Sequence, residues 1–321
     1  MKKIFITGGH YTPAKAVIDE LQKRGDFAIF YLGRKYATED SQALALEYES
    51  LKDYKGVKYL VLTTGRLQRK FFVNVKQSLK AFLKIFIGFP LAAWYLIRYR
   101  PNIVLSFGGY VALPVAVNAW LLGIPVVTHE QTKIIGLANR IIRLLGAKVL
   151  AIGLPLRWEI LEARVRPTNL LFITGGSQGS KTLYEAVKKI LPRLGRYKVL
   201  FQNKHFLEAG KMAASLARAR LVISRSGANT VAEIAWLGRP AIFVPLPWAG
   251  GDEQAKNAQV LANLGMAEII RQDNLSKDSL LAAISKIEKN YPRYLASGKK
   301  GKQLVDPKAA QKIVDELEKN V

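Results

Sequence analysis

Short apolar runs alternate with amphipathic stretches along almost the whole chain, and glycines stand at many of the junctions. Lys3–Thr7 is the first such run, a buried-strand pattern ending in Gly8-Gly9, and Pro13–Arg24 has helical spacing after it. Ala28–Leu32 and Lys58–Leu62 read as the next strands. Arg66–Arg100 reads as a long basic segment, partly helical and broken near Gly88 and Pro90. Ile103–Ser106 is a strand running into Gly108-Gly109. A helix over Pro114–Leu122 follows, then a strand over Pro125–Thr128 that ends at His129-Glu130. Regular alternation of strand and helix predicts a mainly parallel sheet with ligands at the carboxyl ends of its strands.

The pattern then restarts. Asn169–Thr174 is a strand entering Gly175-Gly176-Ser177-Gln178-Gly179, and Lys181–Leu191 is the helix behind it. Lys198–Gln202, Leu221–Ser224 and Ala241–Val244 are further strands. Thr230–Leu237 and Glu253–Leu264 are helices after loops, and Pro307–Asn320 is a closing helix. The expected division is a first domain over residues 1–155, a second over 156–305, and a terminal helical segment, 306–321, that packs back on the first. The join falls in the polar, proline-containing stretch Pro155–Pro167. Two similar α/β halves with a cleft between them is the expected architecture.

Composition narrows the chemistry. A chain of 321 residues, half of them hydrophobic, carries enough apolar side chains for packed cores in both halves. No cysteine is present, which removes disulfides, thiolate metal sites and a catalytic thiol together. Forty-nine basic against 24 acidic residues give a net charge of +25 and call for an anionic partner. Between Asp53 and Glu130 there is no acidic residue at all, whereas Lys76, Lys80, Lys84, Arg98 and Arg100 are among ten basic ones. Leu67, Phe71, Val75, Leu79, Phe82 and Phe86 recur at helical spacing opposite Arg69 and those lysines, so this segment is expected to lie on an anionic membrane. Ile103–Val127 is uncharged over 25 residues, but its glycines and prolines mark buried strand and helix rather than a membrane span. Met1-Lys2-Lys3 leads straight into the first strand without a signal-peptide pattern.

Glycine turns after strands let the backbone approach a phosphate, and the next helix offers its positive end. One such turn is a common structural device; Gly8-Gly9, Gly108-Gly109 and Gly175–Gly179 make three. The most specific region is Ser224–Asn257. Arg225-Ser226-Gly227-Ala228-Asn229-Thr230 forms a loop and helix start with Glu233 one turn in, and Gln254 and Asn257 lie three apart on one helical face. Such groups suit a diphosphate and sugar hydroxyls; Asn229, Thr230 and Asp252 are also candidate helix caps.

These motifs together resemble the MurG family of peptidoglycan N-acetylglucosaminyltransferases over nearly the whole chain. The resemblance rests on Thr7-Gly8-Gly9-His10, on Phe107-Gly108-Gly109-Tyr110, and on His129-Glu130-Gln131 with Gly136-Leu137-Ala138-Asn139-Arg140. It rests equally on the third glycine loop and on Arg225–Glu233 with Asp252–Ala258. It implies a GT-B fold, two Rossmann-like domains with parallel sheets facing a central cleft. The implied reaction is inverting transfer of N-acetylglucosamine from UDP-GlcNAc to undecaprenyl-diphosphoryl-MurNAc-pentapeptide, on the cytoplasmic side of the membrane. By the same resemblance Glu233 holds the ribose and Ser177, Thr230 and nearby N–H groups hold the diphosphate. Arg157 lies at the nucleotide, and Gln254 and Asn257 lie at the sugar. Thr7, Gly8, Gly9, Arg225, Ala228 and Asn229 complete the donor set. His10 and Glu130 are the candidate catalytic groups, and Tyr110, His129, Thr132 and Asn139 fall on the acceptor side. His10 is the stronger base candidate, one of three histidines and placed on a strand-end loop. No Asp-x-Asp clamp is present, so neither metal nor cofactor is expected, and no nucleic-acid partner.

Departures from the family pattern fall on chemistry-bearing positions. The first glycine loop is shorter than the family's GGTGGH. Thr132 stands where the family has asparagine, as does Tyr184, and Ala147–Leu156 is abbreviated. Another lipid glycosyltransferase, such as a diacylglycerol glucosyltransferase, would share the donor loops but not His129-Glu130-Gln131 so closely. A dinucleotide-dependent epimerase or dehydrogenase would need an acid after the second strand, where Gly33-Arg34-Lys35 stands. A non-catalytic binder of nucleic acid or membrane would explain the charge but not Glu233, Gln254 and Asn257 in one region.

Overall fold

The computed structural model describes residues 1–37, 43–65, 75–130, 137–176, 179–202, 209–247 and 252–321, with side chains for all of these except 75–86, 137 and 209. The chain divides into two compact units, Met1–Pro155 with Lys308–Val321, and Leu156–Pro307.

In the first unit the strands are β1 (Lys2–Thr7), β2 (Phe27–Gly33), β3 (Val57–Val61), β4 (Ile103–Ser106), β5 (Val126–His129) and β6 (Lys148–Leu150). Among the described residues they pair in parallel in the order β3-β2-β1-β4-β5-β6. The intervening helices are α1 (Tyr11–Arg24), α2 (Leu46–Leu51), α3 (Val75–Tyr99), α4 (Ala112–Leu121) and α5 (Leu137–Leu144). Side chains alternate across the sheet, so Ile4 and Ile6 of β1 pack with Val17, Ile18 and Leu21 of α1 on one face. Phe5 packs with Ala92 and Leu96 of α3 and Val115 and Ala119 of α4 on the other. Each such fully buried large side chain contributes about 1.5–3 kcal/mol.

The uncharged stretch Ile103–Val127 folds as β4, α4 and the start of β5, and among the described residues no helix is long and apolar enough to cross a membrane. The expected break at Gly88 and Pro90 does not occur: α3 runs through both. Gly88 lies against Thr64, where a Cβ would come within 2.6 Å of Oγ1, so its use is close packing. Burial of Ala92 and Leu96, with Asn118 Nδ2 donating to Phe89 O at 3.1 Å, offsets a mid-helix proline cost of about 3 kcal/mol.

The second unit contains α6 (Trp158–Leu161), β7 (Leu170–Thr174), α7 (Lys181–Lys188), β8 (Lys198–Phe201), α8 (Ala209–Arg218), β9 (Ala219–Ser224), α9 (Ala228–Leu237) and β10 (Ala241–Phe243). It continues with α10 (Glu253–Asn263), β11 (Ala267–Ile269), α11 (Lys277–Lys289) and α12 (Tyr291–Lys302). Its described strands form a parallel sheet in the order β11-β10-β9-β7-β8. Phe172, Val222 and Phe243 face one apolar layer; Leu171, Ile173, Leu221 and Ile242 face the other. Helix α7 stops at Lys188 rather than at Leu191, because Pro192 disfavours helical geometry in the residue before it and a 3-10 turn over Leu191–Arg193 takes over.

After the second unit the chain returns to the first as α13 (Ala309–Glu318). Ile313, Val314 and Leu317 bury against the α1 layer, and Arg24 Nη2 and Nη1 donate to Asp315 (2.7 Å) and Glu318 (3.0 Å). Strand order reverses between β1 and β4 in the first unit and between β7 and β9 in the second, the places where open α/β sheets bind ligands.

Candidate active site

In the first unit the turns after β1 and β4 meet. A Cβ on Gly9 would lie 2.2 Å from Gly108 O, so any side chain there would push the two turns apart. Beneath them Thr7 Oγ1 is buried without a hydrogen-bond partner, and Gly8 N–H donates to Leu32 O at 2.6 Å. His10 occupies the N-cap position of α1 but makes no side-chain capping bond, so its exposed imidazole is free of that role. Crowding by protein lowers its pKa from the ordinary 6.5, Glu130 pulls it back up, and His129 lowers it further.

Asn139, on α5, knits the end of β5 together. Its Oδ1 accepts from Thr128 Oγ1 (2.9 Å), and its Nδ2 donates to Glu130 Oε2 (2.8 Å) and to His129 O (3.4 Å). The same amide backs Gly108, whose Cβ would lie 3.0 Å from Oδ1. His129 is fully buried, its Nε2 2.9 Å from Ile152 O and its Nδ1 without a partner; burial lowers its pKa. Its ring therefore supports the strand end from behind rather than facing solvent. Tyr110 OH accepts a long bond, 3.5 Å, from Arg34 Nη1, and Arg34 is held by Glu47 at 2.9 Å. Thr132 and Gln131 lie outside the described residues, as do Ser177 and Gln178 of the third glycine loop.

In the second unit a Cβ on Gly175 would lie 2.1 Å from the Gly179 carbonyl carbon, so the third glycine loop closes on itself. Two of its amides point inwards. Gly175 N–H donates to Tyr184 OH (3.2 Å) and Gly176 N–H to Thr174 Oγ1 (3.1 Å), while Thr174 Oγ1 donates to Gln202. The N–H groups nearest β7 thus shape the loop and are not the ones offered to a phosphate. Tyr184 takes its role through a ring packed edge-on against Phe201, and burial raises its phenol pKa and keeps it protonated.

Helix α9 begins at Ala228, with Gly227 as N-cap. Asn229 and Thr230 are therefore inside its first turn and do not cap it, and that turn holds no acidic residue. Ser226 Oγ and Asn229 Oδ1 are buried there without partners, and Thr230 Oγ1 is 3.8 Å from the Cβ position of Gly176. Asp252 does not cap α10 either: it is left-handed at φ 55 with no side-chain cap bond. Gln254 Oε1 accepts from Leu246 N–H (3.0 Å) and Asn257 Nδ2 donates to Ser226 O (3.3 Å), so both tie α10 to the loops of β10 and β9.

Glu233 is 2% exposed, and its Oε1 accepts from Arg157 Nη2 at 2.6 Å. Arg225, 6% exposed, donates to Ser180 Oγ (3.0 Å), Val244 O (2.9 Å), Pro245 O (3.3 Å) and Gln272 Oε1 (2.7 Å). Thr174, Ser180, Gln202 and Gln272 were not foreseen from the sequence. Ser180 alone left a legible signal, a serine just before a helical pattern; it caps α7 by accepting from Leu183 N–H.

The carboxyl edge of the second sheet thus offers an uncapped helix start, a closed glycine loop, buried cations and a buried carboxylate, a set suited to a nucleoside diphosphate. The carboxyl edge of the first offers an uncommitted imidazole beside a carboxylate.

Comparison with known proteins agrees with this geometry. The glycosyltransferase family 28 N-terminal domain matches residues 7–150 and its C-terminal domain residues 206–313. The UDP-N-acetylglucosamine–N-acetylmuramyl-(pentapeptide) pyrophosphoryl-undecaprenol N-acetylglucosamine transferase of Thiobacillus denitrificans is 32% identical over 96% of this chain and 94% of its own. The Serratia proteamaculans enzyme of the same name is 32% identical over 97% and 95%. The crystal structure of Acinetobacter baumannii MurG superposes with a TM-score of 0.72 at 27% identity, covering 99% of this chain and all of that one. With two parallel-sheet α/β units of the GT-B kind and this degree of likeness, the chain belongs to the MurG family of glycosyltransferases.

Proposed function

We propose that the chain transfers N-acetylglucosamine from UDP-N-acetylglucosamine to the N-acetylmuramyl-(pentapeptide) pyrophosphoryl-undecaprenol acceptor for which its relatives are named, making lipid II from lipid I for peptidoglycan. The observation that carries the donor half is the start of α9, where two buried polar atoms lack partners at a helix N-terminus whose first turn is free of acids, with the buried Glu233 in the turn after it. A diphosphate accepts from the N–H groups and the Ser226 hydroxyl, and Glu233 accepts from the ribose hydroxyls. Gln254 and Asn257 retain polar atoms for the sugar, and Arg157 and Arg225 supply positive charge as UDP departs, in place of a divalent cation.

His10 removes the proton from the acceptor hydroxyl, whose oxygen bonds to the anomeric carbon as the bond to the diphosphate oxygen breaks and UDP leaves with that electron pair. Attack opposite the leaving group inverts the anomeric centre. Incubation with radiolabelled UDP-N-acetylglucosamine and a lipid I analogue is expected to give labelled lipid product; label appearing only as free sugar would end this reading.

The same reading seats the protein peripherally on the cytoplasmic face of an anionic membrane. The described part of α3 exposes Ile87, Trp94 and Ile97, and α4, packed beside it, ends in exposed Trp120, Leu121 and Leu122. Trp120 also lines an apolar cavity of about 350 Å³ with Ile124, Ile142 and Leu145. Arg98, Arg100, Arg140 and Arg143 lie on or at the ends of these helices and of α5. Leu67 and Phe71 lie outside the described residues, as do the side chains of Val75, Lys76, Leu79, Lys80, Phe82, Lys84 and Phe86. Charge reversal of those three lysines to glutamate is expected to weaken co-sedimentation with anionic vesicles at least about a hundredfold, since each basic residue lost from such a surface removes about 1 kcal/mol and each glutamate adds repulsion. Trp94→Gln with Trp120→Gln is expected to weaken it at every salt concentration. Binding indifferent to salt and to both variants would show that this face does not meet the lipid.

A further inference from the structure

Arg225 is buried, and every acceptor it contacts is neutral: one serine hydroxyl, two backbone carbonyls and the Gln272 amide. Three other buried or half-buried arginines have acids: Arg157 has Glu233, Arg34 has Glu47 and Arg220 has Glu288. Among the described residues no carboxylate pairs with Arg225, and loss of hydration is what lowers its pKa. A guanidinium stays charged even so, because its ordinary pKa lies far above neutrality. Among the described residues Arg239 is also buried with no acid paired to it, but it precedes β10 and so lies at the amino end of the sheet. Arg225 follows β9 and is one hydrogen bond from Ser180, which closes the third glycine loop. A buried cation is costly to leave uncompensated, and a fold that tolerates one at a candidate phosphate loop gains when an anion arrives.

We infer that Gln272, in the turn after β11, is a positioning residue that keeps Arg225 oriented yet electrically unneutralised, so that the donor diphosphate serves as its counter-ion. The inference rests on the donor reading given above. Gln272 Oε1 fixes one edge of the guanidinium at 2.7 Å without contributing charge. A glutamate has nearly the same shape and would place a carboxylate at that point. The fold would then gain an ion pair, and the diphosphate would meet a neutral pair instead of a cation.

Stability and donor affinity should therefore move in opposite directions in Gln272→Glu, whereas a merely structural contact would move them together. Calorimetry with UDP and with uridine, alongside thermal unfolding, separates the cases. In Gln272→Glu, UDP affinity is expected to fall at least about tenfold, because one added negative charge even about 12 Å from one diphosphate charge costs about 1.4 kcal/mol at an effective dielectric near 20. Uridine, which carries no phosphate, should bind within about twofold of the parent, and the unfolding midpoint should rise by about 2–4 °C for each kcal/mol gained. Gln272→Met keeps the cation uncompensated, so it should lose stability and still bind UDP more tightly than Gln272→Glu. Unchanged UDP affinity in Gln272→Glu, equal losses for UDP and uridine, or a lowered midpoint would each overturn the inference. A parent chain that binds neither UDP nor uridine would remove the donor reading and this inference with it; a parent that binds both leaves the donor reading standing whatever the variant does.

Discussion

His10→Ala is expected to lower turnover by about 10²- to 10⁴-fold, the usual contribution of a positioned general base, while UDP affinity stays within about twofold. The imidazole sits at the start of α1, uncommitted to capping and within the field of Glu130. The groups proposed for the diphosphate, ribose and sugar under the proposed function belong to the second unit, so removing this ring leaves them intact. The pH profile gives a second handle. Crowding by surrounding protein holds the His10 pKa below 6.5, and a base must be unprotonated, so kcat/KM should be flat near neutrality and fall only as pH drops through that lowered value. Glu130 opposes the depression; Glu130→Gln should therefore shift the acidic limb to still lower pH. Steady-state kinetics from pH 5 to 8 test both statements. A His10→Ala enzyme with near-parental turnover would transfer the role, with Glu130 next in line.

Glu233→Ala should produce two losses at once. Its carboxylate is proposed to accept from the ribose, a charge-assisted contact of about 1.5–3 kcal/mol, so UDP affinity should fall by roughly 10- to 150-fold. It also neutralises Arg157 at 2.6 Å, with both side chains nearly buried at 3% and 12% exposure. Removing one partner of a buried ion pair costs about 3–5 kcal/mol of fold stability. The KM for the acceptor should not follow. Calorimetry with UDP and a thermal melt read the two losses separately, and unchanged UDP affinity would sink the ribose role even if the melt moved. Glu233→Gln keeps the shape and an acceptor oxygen, so it should fall between parent and alanine in both measurements.

The sheets were legible where short apolar runs end in glycine. Lys3–Thr7, Ile103–Ser106 and Asn169–Thr174 stand within one residue of their strands, because burial on both faces leaves a continuous apolar signature. Three-residue strands such as β6 and β11 were missed: Lys148–Leu150 and Ala267–Ile269 are too short to show a period, and neighbouring strands define them. Helices α8, α11 and α12 went unread because no glycine turn announces them. Gly88 and Pro90 carried the right local warning in α3, and tertiary packing overrode it.

The candidate site residues stand in clusters in the sequence, and many of them fall in the loops after β1, β4, β5 and β9. What sequence could not show is how the side chains are spent. Arg157 grips Glu233 across 76 positions, Arg225 reaches Gln272 across 47, and the Thr174 hydroxyl is shared between Gly176 and Gln202. Such partnerships depend on which loops a sheet brings to one edge, which strand order decides.

Helix α13 has a consequence for how the protein comes off the ribosome. The first unit is interrupted at Pro155 and resumed at Lys308, with the whole of the second inserted between. Until Ile313, Val314 and Leu317 are made, the apolar layer of α1 that they cover lies open to water. The second unit, by contrast, is uninterrupted from Leu156 to Pro307 and has all its strands by then. Domains commonly fold in the order of their emergence. Here the unit that starts first finishes last, and a nascent chain stalled near Pro307 presents one completed unit beside one whose hydrophobic flank still awaits its final ten-residue helix.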